Sequence, residues 1–284
     1  MERGENPLSA DLGNILEFLS SLRMAGKAYN TINVHRSMLS MTLDSLEGGA
    51  IGEHPLVIRL MKACYNKNPP QPKYTVMWSP DKILLHLSSL GSNDSLPLPV
   101  MTRKAVTLVA LASFMRVAEI TAINLKSLVF SEDAVLFSLS TLRKTQRSGS
   151  LASLSIKKFE NPLVCPVEAI RSFVNATAAL RSGSAEENLW ISVRAPHGPV
   201  SSNTIARWIK TVMKDSGIDT DIFSAHSTRS AASSQAAKDG WSIESILKTG
   251  SWARESTFNR FYNRSGMVSD ATAEITGGEN GSDS

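Results

Sequence analysis

Apolar side chains change their spacing several times along the chain, and those changes divide it. Ile15, Leu16, Phe18, Leu19 and Leu22 repeat at the 3.6-residue period of an amphipathic helix, which Gly26 ends. A second helix, capped by Thr31 or Asn33, carries Val34, Met38, Leu39, Met41, Leu43 and Leu46 as far as Gly48-Gly49. Pro55 opens a third, with Leu56, Val57, Leu60, Met61 and Cys64 on its apolar side. From Asn66 to Pro72 the prolines favour extended, semi-rigid backbone. The pattern predicts a helical domain over 1–68, a Pro-rich linker over 69–76 and a larger domain over 77–264.

Within the larger domain, Ser79-Pro80-Asp81 supplies a cap and first turn for a helix over Ile83–Leu90. Thr102–Phe114 is apolar nearly all round, which predicts a buried helix. After Glu119–Leu125 the period shortens. Ala134–Leu139 and Leu151–Ile156 have strand composition and flank the polar run Thr141–Ser150, the pattern of a hairpin. A helix follows from Pro166 to Leu180, a short strand over Leu189–Val193, and a helix from Ser202 or Asn203 to Asp215. Helices over Ser224–Asp239, Ser242–Thr249 and Ser256–Asn263 finish the fold, the first two stopped by Gly240 and Gly250. The fold class this predicts is mainly α with a small antiparallel sheet, α+β.

Two segments stand apart. Ser230, Ala231, Ala232, Ser233, Ser234, Ala236 and Ala237 make a helix of unusually small side chains. Such a surface lets another backbone or DNA approach closely, although tight core packing explains it more simply. Residues 265–284 form an acidic tail too polar to fold alone, and are expected to be disordered.

Composition adds little until charge is divided by position. The 284 residues are 42% hydrophobic and 20% charged, which is ordinary for a globular protein. The net charge of +4 hides a body, residues 1–264, of +8 and a tail of −4. A +8 body suits phosphate binding, but on charge alone a solvated surface of mixed charge is the simpler reading. Two cysteines, Cys64 and Cys165, exclude a disulfide-stapled scaffold. Glu2, Glu5 and Asp11 do not fit a secretory signal, and Ala105–Met115 is too short to span a bilayer. With no Lys/Arg run of the nuclear-signal type, the expectation is a soluble chain without an address and without a membrane partner.

Much chemistry can be set aside. No Gly-rich phosphate loop, dinucleotide-type glycine triplet or G-x-S-x-G elbow occurs. His35, His54, His86, His197 and His226 are scattered and neither cysteine has a near partner, so no zinc site and no cofactor are expected. A magnesium ion held by distant carboxylates stays open.

Three places stand out. His226 and Arg229 are three residues apart and on a helix would share a face, about 5–6 Å apart at Cβ. Arg116 lies in an apolar run, where a buried arginine needs a partner, and Glu119 is the obvious one. Gly250-Ser251-Trp252 follows a helix stop, and Phe258 to Tyr262 ends the last helix.

Arg116 with Glu119, a basic hairpin at Arg143-Lys144, His226-x-x-Arg229, Trp252 and Tyr262, in this order, resemble the tyrosine recombinase (phage integrase) family. The stretches 226–252 and 257–262 are most similar to recombinases of DIRS-type retroelements and cryptons. The resemblance covers 100–264 well and 10–75 less fully, as a shortened helical core-binding domain. It implies a two-domain clamp around double-stranded DNA, with further copies of the chain assembling on the DNA as a tetramer during exchange. It also implies metal-free strand cleavage and rejoining through a 3′-phosphotyrosine, for integration of a mobile element, and a nuclear location in a eukaryotic host.

The roles that follow suit the residue types. Arg116 and Arg229 would clamp the non-bridging oxygens, because a guanidinium donates paired hydrogen bonds and keeps its proton. Lys144 would be the general acid for the departing 5′-hydroxyl, with Arg143, Arg147, Lys157 and Lys158 as its neighbours. Tyr262 would be the nucleophile and His226 the group managing its proton. Trp252, where many members have His, offers an indole N–H and bulk, and Glu119 supports Arg116. Arg143 and Arg147, and Arg207 and Lys210 on the helix before the His-x-x-Arg segment, are the expected DNA contacts.

Two departures accompany the resemblance. Ser113-Phe114-Met115 stands where the family often has a Thr-Gly turn, and 265–284 lacks the apolar C-terminal helix that docks on a neighbouring subunit. The rival readings are a type IB topoisomerase and a domesticated DNA-binding protein without catalysis.

Overall fold

The computed structural model describes residues 10–43, 49–71, 73–74, 76–143, 146, 149–151, 153–183 and 187–263. The chain divides into two compact units at Lys73/Tyr74.

The first unit is helical. α1 (Leu12–Met24) begins where the Asp11 carboxylate accepts the Asn14 N–H at 2.7 Å, satisfying one of the first-turn donors. α2 (Tyr29–Thr42) starts at an Ala28 cap, ahead of the expected Thr31 or Asn33, and α3 (Pro55–Lys67) starts after His54, whose Nδ1 accepts the Leu56 N–H. Ile15, Leu19, Ile32, Ile51, Val57, Met61 and Cys64 make a small core of their own.

The second unit is built around α5 (Leu98–Ser113), most of which is buried. Its N-terminus lies four residues ahead of the expected Thr102, because Pro97 and Pro99 suit the first turn, where N–H groups lack helical partners anyway. Lys104, fully buried on this helix, donates Nζ to the Gly91 carbonyl at 2.8 Å after α4 (Asp81–Ser89). Burial pushes the Lys104 ammonium below its ordinary pKa. α6 (Val117–Thr121), α7 (Pro166–Thr177), α8 (Ser202–Asp215), α9 (Ser227–Lys238), α10 (Ile243–Gly250) and α11 (Glu255–Phe261) complete the helices.

Among the described residues the sheet is three-stranded and antiparallel, in the order β1 (Val129–Phe130), β2 (Ala134–Ser138), β3 (Ser153–Lys157). Val135 faces Ile156 across the ladder, and both are buried while Leu136 is exposed, the period-2 alternation of a one-sided sheet. The fold class is therefore mainly α with a small antiparallel sheet. Leu189–Val193 is not a strand; it makes one isolated bridge, Ile191–Pro199, and Asn188 just before it makes another with Asn124. Arg181 explains part of this, since its guanidinium takes the Asn188 and Leu189 carbonyls at 2.7 and 2.8 Å and removes them from any ladder.

Candidate active site

The ends of five elements meet around Arg229. α9 has small side chains on every side and is buried for most of its length, so neighbouring backbones come close to it. Trp78 donates Nε1 to Ser227 Oγ at 2.9 Å, and the Tyr74 hydroxyl lies 3.0 Å from that of Ser224. These bonds brace the chain just before and at the start of α9, one turn from Arg229.

Arg229 itself is fully buried. Among the described residues it has no carboxylate partner; Nη2 donates to the Gly250 carbonyl at 2.6 Å, and Nη1 to the Phe114 carbonyl. Those carbonyls terminate α10 and α5, where helix ends carry unsatisfied acceptors and partial negative charge. Two helix C-termini thus do for this cation what a carboxylate would. The guanidinium also lies over the Trp252 ring at 3.9 Å, a cation–π contact strengthened by desolvation. Burial, and then Arg116, lowers the Arg229 pKa to about 10, against the raising influence of Tyr262 and Glu119; the charge is kept at neutral pH.

Phe114, at the end of α5, has φ 51°, a left-handed conformation that costs a side-chain-bearing residue about 1–2 kcal/mol. It is held by packing of its ring against Trp241, 6.2 Å between centroids, and by its carbonyl on Arg229. The segment Ser113-Phe114-Met115 therefore makes a tight turn without a glycine.

That turn delivers Arg116 to the start of α6. The Glu119 carboxylate accepts Arg116 Nη1 at 2.6 Å and the Arg116 backbone N–H at 3.1 Å, and its other cation is Arg143, Nη2 at 3.1 Å. Glu119 and Arg143 are buried, and Arg116 keeps about a fifth of its side chain exposed. Burial raises the Glu119 pKa, but hydrogen bonds and charge from Arg143 and Arg116 outweigh it and hold the carboxyl below its ordinary value.

Arg143 corrects an expectation. Expected as a DNA contact, it is instead buried, paired with Glu119, and donates Nη1 to Ser251 Oγ. Ser251, with φ 51° just after α10, precedes Trp252, so one carboxylate links Arg116, the base of the β2–β3 loop and the Trp252 turn. Lys144 and Arg147 lie outside the described residues. Arg207 and Lys210 are exposed on α8, on a face shared with Asn203 and Lys214.

His226 differs from Arg229 in exposure. It is exposed at the cap position before α9, while Arg229, one turn on, is buried. Their spacing spans the helix start, where one residue faces solvent and the third one on faces the core.

Trp252 and Tyr262 pack with ring centroids 4.9 Å apart, and the Tyr262 ring lies 5.1 Å from the Arg229 guanidinium carbon. Tyr262, at the end of α11, is latched through its backbone: Ser230 Oγ and Ser234 Oγ each donate to its carbonyl at 2.8 Å. The small-residue helix thus receives another backbone, one of the two uses its composition allowed. Gly250 gives Trp252 the same freedom of approach, since a Cβ there would overlap the indole ring. Neither Ser251 nor the serine latch carried a signal readable in the sequence beyond that small-residue run.

Two buried N–H groups in this cluster, Arg229 Nε and Trp252 Nε1, have no hydrogen-bond partner among the described residues. Leaving such a donor bare in the interior costs about 1–3 kcal/mol, and the exceptions in native proteins call for an explanation such as an absent ligand. The site can therefore accept an anion beside a phenol. No group of His, Cys, Asp or Glu among the described residues is arranged to hold a metal.

A sequence model described as the phage integrase family matches residues 91–267. The fold is similar to that of the Tn1549 transposon integrase solved with transposon right-end DNA, at TM-score 0.61 and 16% identity over 91% of this chain and 83% of that one. It is also similar to XerH site-specific recombinase bound to a palindromic difH substrate (0.58, 11%, 87% and 67%). A lambda integrase dimer on a COC′ core site gives 0.54 and 15% over 95% and 70%. At these identities the likeness is one of fold. No curated protein matches the chain.

Proposed function

The chain belongs to the phage integrase family of tyrosine recombinases, and from that membership we propose that it cleaves and rejoins DNA strands through Tyr262. The phenolic oxygen attacks a backbone phosphorus, the bond to the 5′-oxygen breaks, and the strand is left joined to Tyr262 as a 3′-phosphotyrosine. The phenol loses its proton in the first step and the departing 5′-oxygen gains one. His226, exposed at the start of α9 three residues before Arg229, is assigned the first transfer by family resemblance. Lys144 is assigned the second by family resemblance. Energy stored in the phosphodiester passes to the tyrosyl link, so a 5′-hydroxyl from another strand can reverse the reaction and complete exchange.

The observation that carries this reading is the pair of unpartnered buried donors, Arg229 Nε and Trp252 Nε1, beside Tyr262. With Arg116 partly open to solvent next to them, they provide fixed positive charge and N–H groups for oxygens that gain charge in the transition state. Glu119 and the two helix ends position those cations before substrate arrives. DNA as the partner is supported by the DNA complexes of the Tn1549 and lambda integrases and by the basic outer face of α8. Assembly of several copies on DNA, and a role in moving a mobile element, extend the same reading.

The test is a duplex nicked next to the cleavage position, so that the short leaving fragment diffuses away and the covalent product accumulates. The expected result is a protein–DNA adduct stable to denaturation, formed by the native chain and absent from Tyr262→Phe, which still binds DNA. No adduct across a library of candidate sites, or one that survives in Tyr262→Phe, refutes the assignment. Exchange between two plasmids then separates a recombinase from an enzyme that only relaxes supercoils.

A further inference from the structure

The hydrogen bonds of Arg143 are divided in an uncommon way. The strongest arrangement open to a buried arginine and a carboxylate is a pair of parallel bonds between them. Arg143 gives Glu119 only Nη2, at 3.1 Å, and the other Glu119 oxygen is held by Arg116 Nη1 at 2.6 Å. Its Nη1 goes to Ser251 Oγ, and its Nε, also buried, has no partner among the described residues. Neutralising Glu119 does not by itself account for a bond to a neutral hydroxyl beside a bare N–H. The bond to Ser251 needs a reason of its own.

Ser251 is the left-handed residue, φ 51°, that turns the chain from α10 to Trp252. Gly250 before it gives its carbonyl to Arg229. Trp252 after it lies under the same guanidinium, its ring centroid 4.9 Å from that of Tyr262. The direction of that ring matters because an indole has one polar atom. An imidazole can be aimed by a bond to its second nitrogen while the first meets a ligand. Trp252 has only Nε1, and Nε1 is one of the donors left bare. Its aim is therefore set by packing against Phe258 and Tyr262 and by the backbone turn at Ser251. A left-handed conformation is strained for serine and persists only where the surroundings hold it. Arg143 holds the Ser251 hydroxyl, and through Glu119 it ties that turn to Arg116.

We propose that Arg143 is a positioning residue for strand cleavage: by holding the Ser251 hydroxyl it fixes the turn that aims the Trp252 indole N–H at the reacting phosphate. The inference rests on the strand-cleavage reading, and it gives Arg143 no contact with DNA.

The test compares Arg143→Lys and Ser251→Gly with the native chain. Lysine keeps a positive charge for Glu119 but has no planar fork to reach the hydroxyl as well. Glycine removes the hydroxyl at a φ that glycine adopts freely, so a folding defect in the first variant is not shared by the second. With the nicked duplex saturating, each variant is expected to form the Tyr262 adduct about ten- to a hundredfold more slowly, the scale of a small misplacement, at unchanged DNA affinity. In a Trp252→Phe background, which has no N–H to aim, neither change is expected to slow the reaction further. A native rate in Ser251→Gly, or the same loss again in the Phe background, overturns the proposal. An independent signal is the indole N–H resonance of Trp252 in NMR, assigned by its loss in Trp252→Phe. It is expected to shift in both variants while those of Trp78, Trp190 and Trp208 stay in place. An unmoved Trp252 resonance overturns the positioning role whether or not an adduct forms. A shifted resonance in a chain that forms no adduct refutes the cleavage reading and leaves the tie between Arg143 and Trp252 standing.

Discussion

Glu119→Gln is the most informative single change, because one carboxylate holds two cations of the site. The native carboxylate accepts from Arg116 at Nη1 and at the backbone N–H, and from Arg143 at Nη2. The amide keeps one acceptor oxygen and turns an NH2 group toward a guanidinium, so one cation loses its partner in a buried place. Breaking a buried ion pair by removing one member costs about 3–5 kcal/mol, and the partial exposure of Arg116 favours the lower end. At about 2–4 °C per kcal/mol for a domain of this size, a loss of about 3 kcal/mol lowers Tm by roughly 6–12 °C.

Tryptophan fluorescence is the suitable signal, since Trp78, Trp190, Trp208, Trp241 and Trp252 all fall in the unit beginning at Tyr74. The difference between the two proteins has a sign in pH. Because the folded Glu119 carboxyl is held below its ordinary pKa of 4.5, the native chain binds fewer protons folded than unfolded near that pH. Its advantage is therefore complete above 4.5 and lost as pH falls through the lower folded value, while the Gln variant has no such dependence. A Tm within about 2 °C of the native value at pH 7, or a gap that does not narrow in acid, refutes this account.

Two further changes test the supports around Tyr262. Ser230→Ala or Ser234→Ala alone should cost about 1 kcal/mol or less, because the Tyr262 carbonyl keeps the other hydroxyl; the double variant should lose more than the sum. If the latch positions the nucleophile, the double variant also forms the DNA adduct more slowly at unchanged DNA affinity, and Ser→Thr at one position restores part of the rate. Gly250→Ala forces a Cβ into the Trp252 ring and should destabilise by about 1–3 kcal/mol or more, read as a lowered tryptophan-monitored Tm; a neutral effect would mean that the turn can relax.

Local rules reached a good deal of this protein. Helix periods and punctuation gave α1, α3, α4, α7, α8 and α10 to within a few residues, because Pro55, Ser79-Pro80-Asp81, Pro166 and Ser242 sit at helix starts whose chemistry is local. The hairpin was legible from alternation at Val135, Phe137 and Ile156. Residue order alone also pointed to the family.

What sequence could not supply was which partner each charged group takes. Arg143 and Arg147 look alike in a basic loop, yet the structure buries Arg143 on Glu119, twenty-four residues away, where its Nη2 donates to a carboxylate oxygen that packing has brought within reach. His226 and Arg229 lie one turn apart, and packing alone decides that the first is exposed at the helix start while the second is buried. The partners of Arg229 are carbonyls at Phe114 and Gly250, and backbone carbonyls leave no mark in a sequence. The chain's residue types determined the chemistry available; long-range packing decided which donors stay unpaired beside Tyr262, since a buried N–H is left bare only when every neighbouring acceptor has been committed elsewhere by the fold.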